Sequence, residues 1–386
     1  MNQSDLKNDI AFGKGVIMSR RIITIMICLT VVRLAAAKNP TALELLDKYA
    51  QTQDKIYKSF VIKFEEAREQ YNSHTYGLEK GKRRGGTLCE MRFDGARFYA
   101  CRKEWGNCMA EARTFIPRDD PKCSTMLWDG RFHYSFGKLP DQKLRELAEE
   151  RFKTTNEREK FLQERSGMLT ITDRPARPKG STPSDFLGAI KGHCDDFHDP
   201  QLISILRQAS KVSLRDEMQQ IGPSKCYVID AVTKRGTYAV WIDPDHSYNI
   251  AQFDNKWETS QTDPRGKIQR HISMKNIQFK KSADIWIPSG AETTDVTRNF
   301  DDGMLRITKR RYKRTDVLLN PDHDGLGSFA PDFPNGCRVQ VKGLESIDES
   351  KKYTWQSGQV VDDKGRIVLD LSSEKPVSAK PESKAR

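Results

Sequence analysis

The sequence predicts a mainly β fold of the α+β kind: an incomplete antiparallel β-barrel or strongly curved sheet, an N-terminal helix over its concave face, and a helical insertion. Three observations predict it. One amphipathic stretch gives way at Ser59 to period-two alternation, turn dipeptides punctuate the alternating runs that follow, and a charged block of helical period interrupts them in mid-chain.

The helix is TALELLDKYAQTQDKI after Pro40, with Leu43, Leu46, Ala50 and Ile56 near one face and Thr41 with Glu44 as a capping box. Alternation then begins with Phe60, Ile62 and Phe64 set against Val61, Lys63 and Glu65. Two hairpins can be registered. With Asp94 and Gly95 central to a two-residue turn, Phe93 pairs with Ala96, Met91 with Phe98 and Cys89 with Ala100. With Asp129 and Gly130 in that role, Leu127 pairs with Phe132, Thr125 with Tyr134 and Cys123 with Phe136. Each register gathers an apolar set on one face, the mark of a half-buried antiparallel sheet. It also sets Cys89 and Cys101 on opposite faces, which argues against a bridge between them.

From about 139 to 213 the pattern is that of an insertion or lid: KLRELAEERF and NEREKFLQERS are helical in period, DRPARPKGSTPSD is Pro-rich, and short apolar helical pieces follow at Phe186 to Ile190 and Leu202 to Ala209. Strands resume at Lys211 to Met218, Cys226 to Val232, Thr237 to Ile242, Ser247 to Asn255, Ile268 to Lys280, Ile285 to Ile287, Ala291 to Arg298 and Met304 to Val317. The sheet domain therefore runs from 38 to 317. Residues 318 to 371 are expected as a small C-terminal β appendage with a hairpin around Asp363 to Gly365, and 372 to 386 as a disordered tail.

Ahead of the helix stands RRIITIMICLTVVRLAAA, Arg20 to Ala37. Its apolar run, Ile22 to Val32, is short against the roughly 20 residues of a spanning helix, and Ala35 with Ala37 supply the small residues that signal peptidase needs. Residues 1 to 37 are thus expected to be an overhang and a cleaved signal peptide, with translation starting at Met18 and a periplasmic or secreted mature chain. Removing five basic and two acidic side chains takes the formal charge from +12 to +9. That balance favours anionic surfaces such as a phospholipid membrane, while secretion argues against nucleic acid. The basic runs Lys80 to Arg84 and Lys309 to Arg314 read as solvated faces.

Cys28 lies in the signal, leaving Cys89, Cys101, Cys108, Cys123, Cys194, Cys226 and Cys337. No Cys-x-x-Cys is present, so neither a thioredoxin-type site nor a paired-knuckle zinc site is supported. One or two disulfides are expected, most simply within Cys89 to Cys123, with the pairing open.

The stretches KCYVIDAVTKRGTYAVWIDPDHSYNIAQFD and KNIQFKKSADIWIPSGAETT resemble the LolA/LolB-like lipoprotein-carrier superfamily. The likeness rests on the corner Trp241, Ile242, Asp243 and Pro244, the returning strand Ile250 to Asp254, the later Trp286, Ile287 and Pro288, and the helix ALELLDKYAQ entering a strand directly. It covers roughly residues 41 to 317, apart from the insertion. The resemblance implies an incomplete barrel around a helix and an apolar cavity for the acyl chains of a lipid or lipoprotein. This chain departs from a minimal carrier in its length and its insertion.

No nucleophile elbow, HExxH, Walker A loop or GxGxxG is present, and no enzyme activity, cofactor or metal is expected. His193, Cys194, Asp195, Asp196, His198 and Asp199 form the densest cluster of ligand types, read chiefly as a polar loop. Asn320, Asp322, Asp324 and Gly325 match the opening of a calcium loop, but Pro331 stands where its bidentate Glu belongs. Trp128, Tyr134, Tyr238, Trp241 and Trp286 are the candidates for lining a ligand cavity, with plain core as the alternative. The function expected is binding of an apolar ligand, a lipid or lipoprotein acyl chain, in the cell envelope. Two rivals stay open: an envelope hydrolase or metal-dependent enzyme built on His193 to Asp199, and a structural or sensory module with no ligand.

Overall fold

The structure, a computed structural model, describes residues 40–73, 81–106, 116–165, 167–173, 202–259, 267–282, 284–301, 303–344 and 347–371. The signal segment, Cys108, Phe186 to Ile190, the His193 to Asp199 cluster and the tail therefore lie outside the described residues. Met1–Thr41 and Ala42–Arg386 are two separate units, and the described helices and strands all belong to the second.

Helix α1 (Ala42–Tyr57) buries Leu45, Leu46, Tyr49, Thr52 and Ile56. Leu43, expected on this stripe, is 55% exposed. It sits two residues from Leu45, about 200° around the helix, so both cannot face the sheet. Strands β1 (Phe60–Asn72), β2 (Gly81–Phe93), β3 (Phe98–Gly106), β4 (Lys122–Trp128) and β5 (His133–Lys138) form a meander. Helices α2 (Asp141–Arg151) and α3 (Thr155–Arg165) lead to β6 (Met168–Thr172), and α4 (Leu202–Arg207) opens the second half. There follow β7 (Lys211–Leu214), β8 (Gln219–Ile221), β9 (Ser224–Thr233), β10 (Gly236–Asp243), β11 (Asn249–Glu258), β12 (Ile268–Ser282), β13 (Ile285–Asn299) and β14 (Leu305–Leu319). The last strands are β15 (Arg338–Lys342), β16 (Tyr353–Gln356), β17 (Gln359–Val361) and β18 (Ile367–Asp370).

These strands make one mainly antiparallel curved sheet that is open and does not close into a barrel, with α1 ahead of it. The β9 to β14 meander joins the β1 to β5 meander where β14 pairs with β1, from Phe60 opposite Leu319 to Asn72 opposite Arg306. Strand β6 adds to β5 and then takes β15 in parallel, so the segment expected as an appendage continues the sheet. This pairing is long-range and parallel, and no local turn chemistry announces it.

Both registered hairpins slip by two residues. Phe93 pairs with Phe98, Met91 with Ala100 and Cys89 with Arg102. Leu127 pairs with Tyr134, Thr125 with Phe136 and Cys123 with Lys138. The loops hold four residues because the aspartate caps its own turn: Asp94 Oδ1 accepts the N–H groups of Ala96 and Arg97 at 2.9 and 2.6 Å, and Asp129 Oδ1 those of Arg131 and Phe132, both at 2.7 Å. A slip of two preserves the faces. Cys89 is buried under α1 while Cys101 lies on the other side opposite Thr125, and Cys89, Cys101, Cys123, Cys226 and Cys337 are all free thiols. The disulfide expected within Cys89 to Cys123 is not formed among the described cysteines, since the register sets no two of them opposite each other.

Two main cores result. The first lies under α1 and α4 and includes Leu45, Phe60, Ile62, Met91, Ile229, Val240, Phe253 and Met274. The second joins β4 to β6 with the C-terminal strands through Leu127, Tyr134, Phe136, Leu169, Phe333, Val339 and Trp355.

Between β14 and β15 the Asp-rich segment is a capped turn, with Asp322 Oδ1 accepting the Gly325 N–H at 3.0 Å and Asp324 accepting Arg97 Nη1 at 2.8 Å. Next to it the buried His323 donates from Nε2 to the Phe93 carbonyl at 2.9 Å and packs on Phe329. Burial lowers its pKa below the usual 6.5, aided by Arg97 and Arg92 and opposed by the Phe93 carbonyl and Asp94. A depressed histidine pKa leaves stability intact above about 6.5 and removes it as pH falls from there toward the folded value. The thermal midpoint is therefore expected to drop between pH 7.5 and 5.5, and His323→Gln should flatten that slope. An unchanged slope in the variant would assign the pH dependence to other groups.

Candidate functional site

Period-two alternation sets Phe60, Ile62, Phe64, Glu66, Arg68, Gln70 and Asn72 of β1 on the face that carries α1. Strand β14 reaches the same face by a bulge: Lys63 pairs with Asp316 but Phe64 pairs with Arg314, leaving Thr315 as the extra residue. Val317 and Leu319, then Arg314, Tyr312, Thr308 and Arg306 with Arg310, consequently share one side although their parity changes at Thr315. This corrects the reading of Lys309 to Arg314 as a solvated run. Lys309, Arg311 and Lys313 are exposed, whereas Arg314 is buried and donates from Nη1 to the Pro288 carbonyl at 2.8 Å.

The helix face is apolar at one end and polar at the other. At the apolar end α1 is fixed at one corner of the sheet, where Thr52 Oγ1 donates to the Ser247 carbonyl at 2.6 Å, Gln53 Nε2 to Asn249 Oδ1 at 3.2 Å and Lys48 Nζ to the Tyr248 hydroxyl at 3.0 Å. Ser247 and Tyr248 hold φ of 59° and 58°, the left-handed conformation that turns their carbonyl and hydroxyl toward the helix.

At the polar end Glu66 meets Arg68 at 2.6 Å and Arg310 at 3.8 Å, and Asp295 takes a two-pronged grip from Arg270 at 2.6 and 3.0 Å. Burial pushes the Asp295 carboxyl up, but Arg270, Arg310 and Arg306 together hold it below the usual range. Burial, then Glu66, pushes the Tyr312 phenol upward, so it is neutral at physiological pH.

The corner Asp243 to Asn249 shows a third arrangement. Asp243, fully buried, accepts the Asp245 N–H at 2.9 Å and faces His246 Nδ1 at 2.7 Å, while Ser224 Oγ lies 3.5 Å from that same nitrogen. A proton relay needs the carboxylate and the hydroxyl on opposite ring nitrogens, so this is a turn lock, not a nucleophilic site. Nearby, burial followed by Asp243 and Asp245 pushes the Cys226 thiol up to about 12, leaving it protonated.

The five aromatic residues singled out from the sequence do not converge. Tyr238 is buried in the first core and Trp128 packs against it. Tyr134 is buried in the second, its hydroxyl donating to Asp129 Oδ2 at 2.8 Å. Trp241 belongs to a small cluster with Cys226, Val228 and Ala251, its Nε1 bonded to Gln219 at 2.8 Å, and Trp286 stands edge-on to His246 at 4.7 Å. Tyr238 and Trp241 are three apart on one strand and so point to opposite faces. Sequence reasoning missed Glu66, Arg68, Arg270, Asp295, Arg306 and Arg310, although Thr293, Asp295 and Thr297 at alternate positions of β13 are the signal of a polar buried face.

No protein-family model matches the chain, and no curated protein matches it. Among solved structures, the complex of Pseudomonas aeruginosa MucA and MucB superposes with a TM-score of 0.21 at 7% identity, covering 72% of this chain and 99% of that one. MucB in complex with MucA(peri) gives 0.20 at 6% over 72% and 99%. A mutant porin of Rh. blastica gives 0.17 at 9% over 66% and 99%. At scores this low the likenesses bear on neither fold nor function.

Proposed function

We propose that this chain is a secreted or periplasmic cell-envelope protein of the lipoprotein-carrier kind, which binds a lipid or lipoprotein acyl chain on the helix face and acts without catalysis. The observation that carries the reading is the cover. One helix closes the apolar end of a long sheet face and is fixed at one corner by three side-chain hydrogen bonds. An acyl chain takes the place of the stripe Leu45, Leu46, Tyr49 and Ile56, each methylene it buries contributing about 0.8 kcal/mol. The Arg20 to Ala37 pattern supports the compartment.

Loosening the corner tests this. Thr52→Ala with Gln53→Ala removes two bonds worth about 1 kcal/mol each from the closed form, so displacement of a fluorescent fatty acid should tighten by up to roughly thirtyfold. Mass spectrometry of a lipid extract from the purified protein identifies the natural ligand. If neither the native chain nor the loosened variant takes any apolar probe, the acyl reading fails.

One observation favours a second reading, a structural or sensory module. Leu45, Leu46, Ile56, Ile62, Val240 and Ile242 are all at 0% exposure, so the apolar end is filled by the chain's own side chains. The same displacement experiment decides between the two.

A further inference from the structure

The polar end of the helix face carries more positive charge than its own carboxylates answer. On β1, β2 and β12 to β14, Arg68, Arg83, Arg270, Arg306 and Arg310 share this end with Glu66 and Asp295, an excess of positive charge in a half-buried place. Register makes the imbalance sharper. Arg68 stands directly opposite Arg310 across the β1 to β14 pair, an arrangement that destabilises a sheet unless something lies between the two charges. Glu66 serves Arg68 at 2.6 Å but stands 3.8 Å from Arg310. Asp295 is gripped by Arg270. Arg306 pairs in register with Asn72 and Thr297, both neutral, and among the described residues no carboxylate stands within ion-pair distance of it.

We propose that this end of the face is a binding site for a phosphate dianion, held between Arg306 and Arg310 over Thr308. The two arginines lie four residues apart on β14, and about 13 Å of extended strand is within the reach of two arginine side chains turned toward each other. Each guanidinium presents a planar fork of donors that matches phosphate oxygens two at a time. Thr308 between them is buried, as is Asn72 beside Arg306, so a hydroxyl and an amide line the place, while the Thr297 hydroxyl donates to Asp295. A dianion offsets more of this excess than a single carboxylate does. Asp295, kept ionised by Arg270, Arg310 and Arg306, stands opposite Thr308 and repels an anion, so the dianion has to sit on the Arg306 and Arg310 forks away from that carboxylate. The site uses none of the apolar end, so it stands whether or not acyl chains bind there.

The same chemistry is offered by free phosphate and by a lipid phosphate headgroup. Calorimetric titration of the native chain with inorganic phosphate at low chloride tests the first source. Co-sedimentation with vesicles of phosphatidic acid, against phosphatidylcholine vesicles, tests the second. In either arm Arg306→Gln should weaken binding at least tenfold, and Arg306→Lys, which keeps the charge and loses the fork, should fall between. Without phosphate the Arg306→Gln variant should melt at the same temperature as the native chain or higher, because a repulsive charge has gone. A lower midpoint would make Arg306 a structural residue and overturn the proposal. So would binding in neither arm, or binding that Arg306→Gln leaves unchanged.

Discussion

Replacing Trp355 with alanine is expected to destabilise the C-terminal strands by about 4 kcal/mol, the range found when a large aromatic side chain is cut from a packed interior. Trp355 is 1% exposed and packs edge-on against Phe333 at 5.6 Å, while Phe333 in turn packs on Tyr134 and Phe136. Its backbone also holds the strand start, with its N–H donating to the Cys337 carbonyl at 3.0 Å and its carbonyl accepting from Gly336 at 2.9 Å. The void therefore falls at the centre of the second core. Hydrogen exchange should show β15 to β18 losing protection while β9 to β13 keep theirs. Equal loss in both regions would mean that the two cores unfold as one unit.

Asp295→Ala is the second large effect. The Arg270 side chain is 19% exposed and that of Asp295 5%, so removal of the carboxylate strands a mostly buried guanidinium next to Arg306 and Arg310. Breaking such a pair from one side costs roughly 3 kcal/mol or more, well above an exposed ion pair. The urea midpoint should fall accordingly, and the double variant with Arg270→Ala should recover part of the loss. A loss under about 1 kcal/mol would show that water reaches the pair freely.

What could be read early was local. The α1 pattern, the onset of alternation at Ser59 and the Asp-Gly turns all rest on contacts within a few residues, and each led to an element that is present. Errors arose where a local rule had two solutions. Asp94 and Asp129 cap four-residue loops by their own carboxylates, so both registers moved by two while the faces stayed. Strand β13 runs unbroken through Pro288 because its partner β12 bulges between Lys275 and Phe279, a compensation that lies on another strand.

The polar end of the helix face was legible only in part. Alternation along β1 already placed Glu66 and Arg68 with Phe60, Ile62 and Phe64, but an amphipathic strand that turns polar reads as one that has left the core. On β14 the run of basic residues concealed two faces. Its parity is set by the bulge at Thr315, which depends on the partner strand.

The sequence by itself determined the mainly β class, the leading helix and the face assignment within each hairpin, because period and turn chemistry are properties of neighbouring residues. Only the tertiary structure decided that β14 pairs with β1, that β15 adds in parallel to β6, and that the arginines of β1, β2, β12 and β14 share the helix face with Glu66 and Asp295. The two strand pairings join residues more than a hundred positions apart, where burial of one face against another selects among pairings that local preference leaves equal.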